Sequence, residues 1–381
     1  MTMFLIIGGG IGGMTTALAL AQAGFDVHVA EQAPRFGEIG AGIQLAPNAM
    51  RILERLGLRP TLDEVSVQPR NLVFMHADTG KRLGVVDLGP AFRRHFGQAY
   101  TVLHRGDLLE VLLAACRANP RITLETGREM VAVSADGEVR FADGTLYRCD
   151  GVVGADGLWS RTRKLICDDE PICAQYVAYR GTLPTTSAVE QDDEVIWIGP
   201  DKHLVQYPIR RGELYNQVAV FRSRRFRPGT DDWGTPEELT EAFAASCEEV
   251  RSSVALMPTD RRWPMYDRLP IATWTKGRVT LLGDAAHPML QYLAQGACQA
   301  IEDAACLARH LAKHGGDVAE AFAGYQAERG PRTGQVQTVA RAWGEIWHAG
   351  DLVIPALRDR VFARRAADDY TDLDWLYQEA L

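Results

Sequence analysis

Residues 4–7, Phe-Leu-Ile-Ile, form a short unbroken apolar run, residues 8–13 are dense in glycine, and residues 14–23 are rich in alanine and leucine. An apolar run bounded by turn residues predicts a buried strand and the Ala/Leu stretch a helix, so the chain opens as strand, tight turn, helix. Gly24 stops that helix, residues 26–30 predict a second strand, and Glu31 stands at its end. The unit is a parallel βαβ with the right-handed crossover such units adopt. After a loop at 34–47, Asn48 is placed to cap an amphipathic helix running to Leu56. Residues 72–75, 194–198, 204–209 and 216–221 are β-rich with turns between, and predict one antiparallel sheet. Residues 108–118 have helical spacing, while 151–154 and 278–282 predict further buried strands, the last followed by a Gly-Asp turn and a helix to about residue 312. The tail from 319 is helical in pattern and carries Trp343, Trp347 and Trp375.

At 381 residues, two structural regions sharing an interface are expected rather than one long core. The net charge of −8 gives no field to gather nucleic acid. Seven cysteines, an odd number without a C-x-x-C pair, predict reduced structural thiols, and no metal site is expected because the histidines are scattered without carboxylates at ligand spacing. The N-terminal apolar run breaks into glycines after about five residues and lacks a basic start, and no run approaches the roughly 20 apolar residues of a membrane span. A cytoplasmic protein that is not integral to a membrane is expected.

The chemistry enters with Gly8-x-Gly10-x-x-Gly13. Glycine there permits a tight turn, lets backbone approach a pyrophosphate, and packs helix on strand, while the helix N-terminus supplies amide donors. Flanked by strand and helix, with Glu31 after the second strand, the motif predicts dinucleotide binding. Glu31 suits both hydroxyls of an adenosine ribose and disfavours a ribose phosphate; it does not separate FAD from NAD. Two further turns, 154–163 (Gly-Ala-Asp156-Gly-Leu-Trp-Ser-x-x-Arg163) and 283–288 (Gly-Asp284-Ala-Ala-His287-Pro288), also follow apolar strands, and the latter feeds a second helix N-terminus at Gly296. A large cofactor with a pyrophosphate and an electron-accepting ring would use such an arrangement.

These motifs, with His104-Arg-Gly-Asp-Leu108 between them, stand in the order found in the flavoprotein monooxygenases of the para-hydroxybenzoate and salicylate hydroxylase group, which the chain resembles over nearly its whole length. Residues 178–184, 203–208, 216–221, 263–268 and 287–297 resemble the 3-hydroxybenzoate 6-hydroxylase branch, with salicylate and 6-hydroxynicotinate hydroxylases as alternatives. The resemblance implies an α/β fold: a Rossmann-like FAD-binding unit of the glutathione-reductase type with a parallel sheet, a substrate region on an antiparallel sheet, and C-terminal helices. It divides the chain into a discontinuous FAD-binding domain (1–70, 100–170 and 276–330), a substrate domain (71–99 and 171–275) and a helical segment (331–381).

By the same resemblance FAD is held tightly without a covalent bond. Glu31 meets the adenosine ribose, Arg105 the ribityl or pyrophosphate part, and Asp284 the ribityl chain. Asp156 serves the pyrophosphate turn, and residues from Gly42 and Ile43 to Leu45, with Pro288 to Gly296 and Ala297, flank the isoalloxazine. NADH, preferred to NADPH, docks transiently, since no second nucleotide fold is visible, and O2 is the third reactant. Oxygen insertion by a flavin hydroperoxide is electrophilic, so the substrate, a small phenolic carboxylate, has to be made electron-rich as its phenolate by a nearby base. The resemblance points to His203 as that base or acceptor, with Gln291 orienting the same hydroxyl and Tyr207 at the substrate carboxylate. His287 is expected to shape its turn. Glycines 37, 40 and 42 are expected to permit flavin motion, and Trp343 and Trp347 to serve packing or a homodimer contact. A halogenase is set aside because W-x-W-x-I is absent; a flavin-binding sensor that turns nothing over is the alternative of another class.

Overall fold

The computed structural model describes residues 3–37, 41–184 and 192–378, so Gly40 lies outside the described residues. Met3–Ile7 is the centre of a six-stranded sheet, parallel to Asp26–Ala30 on one side and Gly151–Gly154 on the other. Ile122–Glu125 and Val279–Leu281 extend it in parallel, and Thr275–Lys276 closes one edge antiparallel. Both faces of the central strand are covered, which explains its unbroken apolar run. Phe4 and Ile6 pack towards the helices Ile11–Gln22, Arg105–Ala118 and Gly296–Lys313, whereas Leu5 and Ile7 meet Met130, Val139 and Phe141 of a small antiparallel sheet.

The second large sheet has seven strands, in the order Trp263–Asp267, Ile172–Pro184, Leu214–Arg222, Lys202–Ile209, Asp193–Gly199, Asn71–His76, Arg82–Asp87. Its pairings are antiparallel, as expected, except that Asp193–Gly199 runs parallel to Asn71–His76. Alternation of apolar residues reports which face a side chain takes and carries no direction; these strands are joined through the first sheet rather than by a hairpin, so either direction was open. Val177, Tyr179, Trp197, Leu204 and Phe221 point to the back of this sheet, where Leu239, Phe243, Val250 and Val254 of two short helices cover them. The front face looks towards the first sheet.

Two expectations are corrected here. Asn48 does not cap its helix: Pro47–Arg55 begins two residues earlier than that, with Ala46 at the cap, and the buried Asn48 amide bonds the Gln295 side chain at 3.0 Å, a long-range pairing that local capping rules do not foresee. Trp347 is 3% exposed, which leaves it no face for a subunit contact, while Trp343, half-buried, packs against the same core. The helix that carries them, Val318–His348, is capped by Asp317 and turns its tryptophans inward.

Candidate active site

A cavity of about 1030 Å³ lies between the strand ends of the first sheet, the front face of the second, and the Val318–His348 helix. At one end stand the glycine turns. Gly8 has φ +107°, and a Cβ there would lie 2.4 Å from the Ala155 oxygen; a Cβ on Gly13 would lie 2.0 Å from the Gly8 oxygen. The first position keeps the backbone at the cavity wall and the second, behind it, closes the turn on the helix. Gly10 is the N-cap of Ile11–Gln22, so the first amides of that helix open onto the cavity. Glu31 lines the wall, its Oε2 accepting from the Gly9 amide at 2.7 Å and its Oε1 from Ala33 at 2.8 Å, which fixes the carboxylate beside the turn.

Asp156 also lines the cavity, and it organises its own loop: Oδ1 accepts from Ser160 Oγ at 2.6 Å and Oδ2 from the Thr162 amide and hydroxyl at 3.0 Å. Arg163, fully buried, joins the second turn to the third. It donates to the Ala285 and Ala286 carbonyls at 2.9 and 2.7 Å and holds Asp169 bidentately at 2.7 and 2.8 Å. In the third turn, Asp303 accepts from the Gly283 amide at 3.0 Å, meets His287 Nε2 at 2.5 Å and accepts from Arg329 Nε at 2.7 Å. Burial would raise the Asp303 carboxyl; His287 and Arg329 outweigh it and hold it at about 2. His287 therefore anchors its turn. The neighbouring Asp284 faces the cavity, open to a ligand yet walled by protein, so that desolvation raises its carboxyl against the pull of His287 and Arg105. Arg105, Gly296 and Ala297 line the same end; Pro288 does not, its carbonyl accepting instead from Gln337 at 3.0 Å.

At the other end the front face of the second sheet forms the wall. Across its strands Tyr207 is level with Asn216, and Val195 with Gln206, which sets Glu194 next to Tyr207 on one face. Gly42 donates its amide to Asn216 Oδ1 at 2.6 Å, and a Cβ on it would lie 2.4 Å from the Tyr207 ring, so the expected hinge glycine is a close-packing position in Gly42–Leu45. Ile43 lines the cavity beside it. His203, 1% exposed, lines the cavity between Tyr292 and Trp347, with Nδ1 2.7 Å from His348 Nε2. Burial, then His348, push His203 well below the usual histidine value. Gln291 Oε1 accepts from Arg180 Nη2 at 2.8 Å, and Arg180 also sits over the Trp263 ring. Thus His203, Tyr207 and Gln291 face one space with the turn residues.

Three residues at this wall, Arg180, Glu194 and His348, are absent from the sequence reading as site residues, and Trp347 is expected there only for packing or a homodimer contact. Arg180 and Glu194 lie on front-face positions that strand alternation makes visible. Glu194 Oε1 accepts from Gln44, its Oε2 has no partner, and burial raises the carboxyl to about 8. Trp347 and His348 come from the tail helix, where no local pattern announces a cavity. One absence is also corrected: Cys306, His310 and Glu328 bring ligand atoms within 4.8 Å of one another, because Glu328 arrives from the following helix. Arg309 already pairs with Glu328 and approaches Cys306 Sγ at 3.6 Å, so a cation of the protein sits at this cluster.

The turns fit FAD: a backbone cradle that side chains would fill, a helix N-terminus, and a carboxylate at each end of the wall. Residues 1–340 match the family described as FAD binding domain. The chain is 38% identical to 3-hydroxybenzoate 6-hydroxylase of Polaromonas naphthalenivorans over 98% of its length and 95% of that protein, and 37% identical to 3-amino-4-hydroxybenzoate 2-monooxygenase of Streptomyces cremeus over 98% and 94%. Among solved structures it is similar to Klebsiella pneumoniae HpxO complexed with FAD and uric acid, with a TM-score of 0.83 at 25% identity over 96% of this chain and 94% of that one. A salicylate hydroxylase substrate complex gives 0.80 at 24% identity over 99% and 95%, a likeness of fold.

Proposed function

The chain belongs to the FAD binding domain family and is an FAD-dependent aromatic-ring monooxygenase; we propose that it hydroxylates a small phenolic carboxylate, 3-hydroxybenzoate, to 2,5-dihydroxybenzoate (gentisate) with O2 and NADH. The observation that carries this reading is a buried histidine, His203, on a largely apolar sheet face that shares its cavity with three glycine turns. The chemistry FAD supplies when bound is oxidation of the nicotinamide and delivery of one oxygen atom to the aromatic ring. This chain's own residues do the rest. Gly8, Gly10 and Gly13 shape the pyrophosphate turn with Asp156, Glu31 takes the ribose, and Arg105 and Asp284 take the ribityl region. Gly42, Ile43, Gly296 and Ala297 belong to the segments around the ring system.

His203 receives the hydroxyl hydrogen of the substrate, Gln291, steadied by Arg180, orients that oxygen, and Tyr207 meets the carboxylate. A phenolate carries more electron density to its ortho and para carbons than a phenol, so this one proton decides whether the ring reacts. Ile196, Val205, Val218 and Trp347 keep the wall dry, which protects the oxidising step from water. Residues 1–70, 100–170 and 276–330 form the FAD-binding domain in this proposal, and 71–99 with 171–275 the substrate domain. A cytoplasmic location and a homodimer complete it; no helix among the described residues is long and apolar enough to cross a membrane.

The similar identity to 3-amino-4-hydroxybenzoate 2-monooxygenases supports a second reading, an aminohydroxybenzoate substrate. Coupled NADH oxidation on 3-hydroxybenzoate, salicylate, 6-hydroxynicotinate and 3-amino-4-hydroxybenzoate, with product identification, separates the readings. His203→Ala is expected to keep FAD and to slow ring oxidation by about 100-fold or more; unchanged coupled turnover removes His203 from the mechanism.

A further inference from the structure

His203 does not face the cavity alone. Its Nδ1 lies 2.7 Å from Nε2 of His348, the two rings lie edge to edge with centroids 5.0 Å apart and planes 20° from parallel, and both side chains are buried. One hydrogen occupies such a contact, so the tautomers of the two rings are linked. With Nδ1 engaged, Nε2 is the nitrogen His203 has left for a ligand. His348 is the last residue of the Val318–His348 helix and is boxed in by Tyr176, stacked at 4.5 Å, by Tyr292 and by Arg358, whose guanidinium holds the Ile346 and Trp347 carbonyls; its backbone carbonyl accepts from the Asp201 amide. Its Nδ1 has no hydrogen-bond partner.

We propose that His348 is the proton acceptor behind His203: as His203 Nε2 takes the phenolic hydrogen, the hydrogen on His203 Nδ1 passes to His348 Nε2. The O–H bond of the substrate and the Nδ1–H bond of His203 break, and two N–H bonds form. His203 ends neutral, its Nε2–H donating to the phenolate oxygen, and the positive charge rests on His348 at a helix C-terminus, where the backbone dipole favours it and the neighbouring Arg358 opposes it. This inference rests on His203 meeting the substrate hydroxyl. The relay moves the charge off the cavity wall and away from the ring that meets the substrate, although desolvation opposes a charge at either histidine. Burial and Arg358 also hold His348 low, at about 3, so neither ring is charged in the empty cavity; the phenolate formed in the same step is the counter-charge. His348 is thus a positioning and relay residue that does not touch the substrate.

The test follows ionisation of the bound substrate rather than turnover. 3-Hydroxybenzoate labelled with 13C at the hydroxyl-bearing carbon is titrated by NMR on the oxidised, FAD-loaded enzyme. In His348→Gln, which keeps a donor at that place but takes up no proton, the apparent pKa of the bound phenol is expected to rise by at least about one unit, a tenfold change. His203→Ala is expected to raise it as well. If His203→Ala raises it and His348→Gln leaves it unchanged, the relay is wrong and the base stands; if neither moves it, His203 itself is misassigned. A measurement without variants guards against misfolding: 15N-histidine shifts of the wild-type protein should show His348 gaining an Nε2 hydrogen when substrate ionises, and an unaltered His348 overturns the proposal.

Discussion

Glu194→Gln isolates the energetic consequence of a carboxyl on the cavity wall. Glu194 is 1% exposed, its Oε1 accepts from Gln44, and no cation is among the groups acting on it, so burial lifts it from 4.5 to about 8. Because the folded value is raised, the folded protein keeps a proton that the unfolded chain surrenders. The penalty is absent below 4.5, grows as pH rises towards 8, and is constant above. At roughly 1.4 kcal/mol per unit the whole window amounts to about 5 kcal/mol, and the part between pH 5 and 8 to about 3 kcal/mol. The glutamine keeps the acceptor for Gln44 and places an amide where Oε2 has no partner, a cost of about 1–3 kcal/mol that does not depend on pH. It cancels in the comparison. Urea unfolding of FAD-saturated wild type and variant at pH 5 and pH 8 should show the variant gaining about 3 kcal/mol on the wild type between the two conditions. A stability difference that is the same at both pH values refutes the reasoning.

Asp303→Asn should destabilise the protein by about 3–5 kcal/mol in urea unfolding, since Arg329 and His287 keep their buried places without the carboxylate. The wild-type contribution of Asp303, held at about 2 against 3.8, is present above pH 3.8 and is lost as pH falls through 2, so the gap between the two proteins should narrow only in acid. Gly13→Ala forces a Cβ to within 2.0 Å of the Gly8 oxygen and should give folded protein with at least about tenfold less FAD, measured as the ratio of flavin to protein absorbance. Gly42→Ala displaces the Tyr207 ring and should raise KM for the aromatic acid, measured at saturating FAD.

The FAD end of the molecule was legible because its constraints are local. The positions of Gly8, Gly10 and Gly13 follow from how backbone turns beside a strand, and Glu31 follows from the strand after it. The sheets were legible from alternation, whereas His203 and Tyr207 were picked out by the resemblance; in the structure they share one face of Lys202–Ile209, with Gln206 on the other. What escaped was decided by partners far along the chain. Asn48 looks like a cap because capping is judged from neighbours, yet Gln295 takes its amide. Trp347 and His348 look like any buried helical residues; only the docking of the tail helix brings them to His203, 145 positions away. The parallel pairing of Asp193–Gly199 with Asn71–His76 escaped for the same reason. Glu194 is the exception, an acid on the inward phase of an apolar strand, and alternation alone exposes it.

The central claim is that the turns and the His203 wall act on one aromatic acid through one bound FAD. Purified enzyme supplied with NADH, 3-hydroxybenzoate and 18O2 tests it directly. The account predicts 2,5-dihydroxybenzoate carrying one 18O atom, formed in proportion to NADH consumed and at a rate that falls in His203→Ala. NADH oxidation that ends in hydrogen peroxide, with the 3-hydroxybenzoate recovered unlabelled, contradicts it.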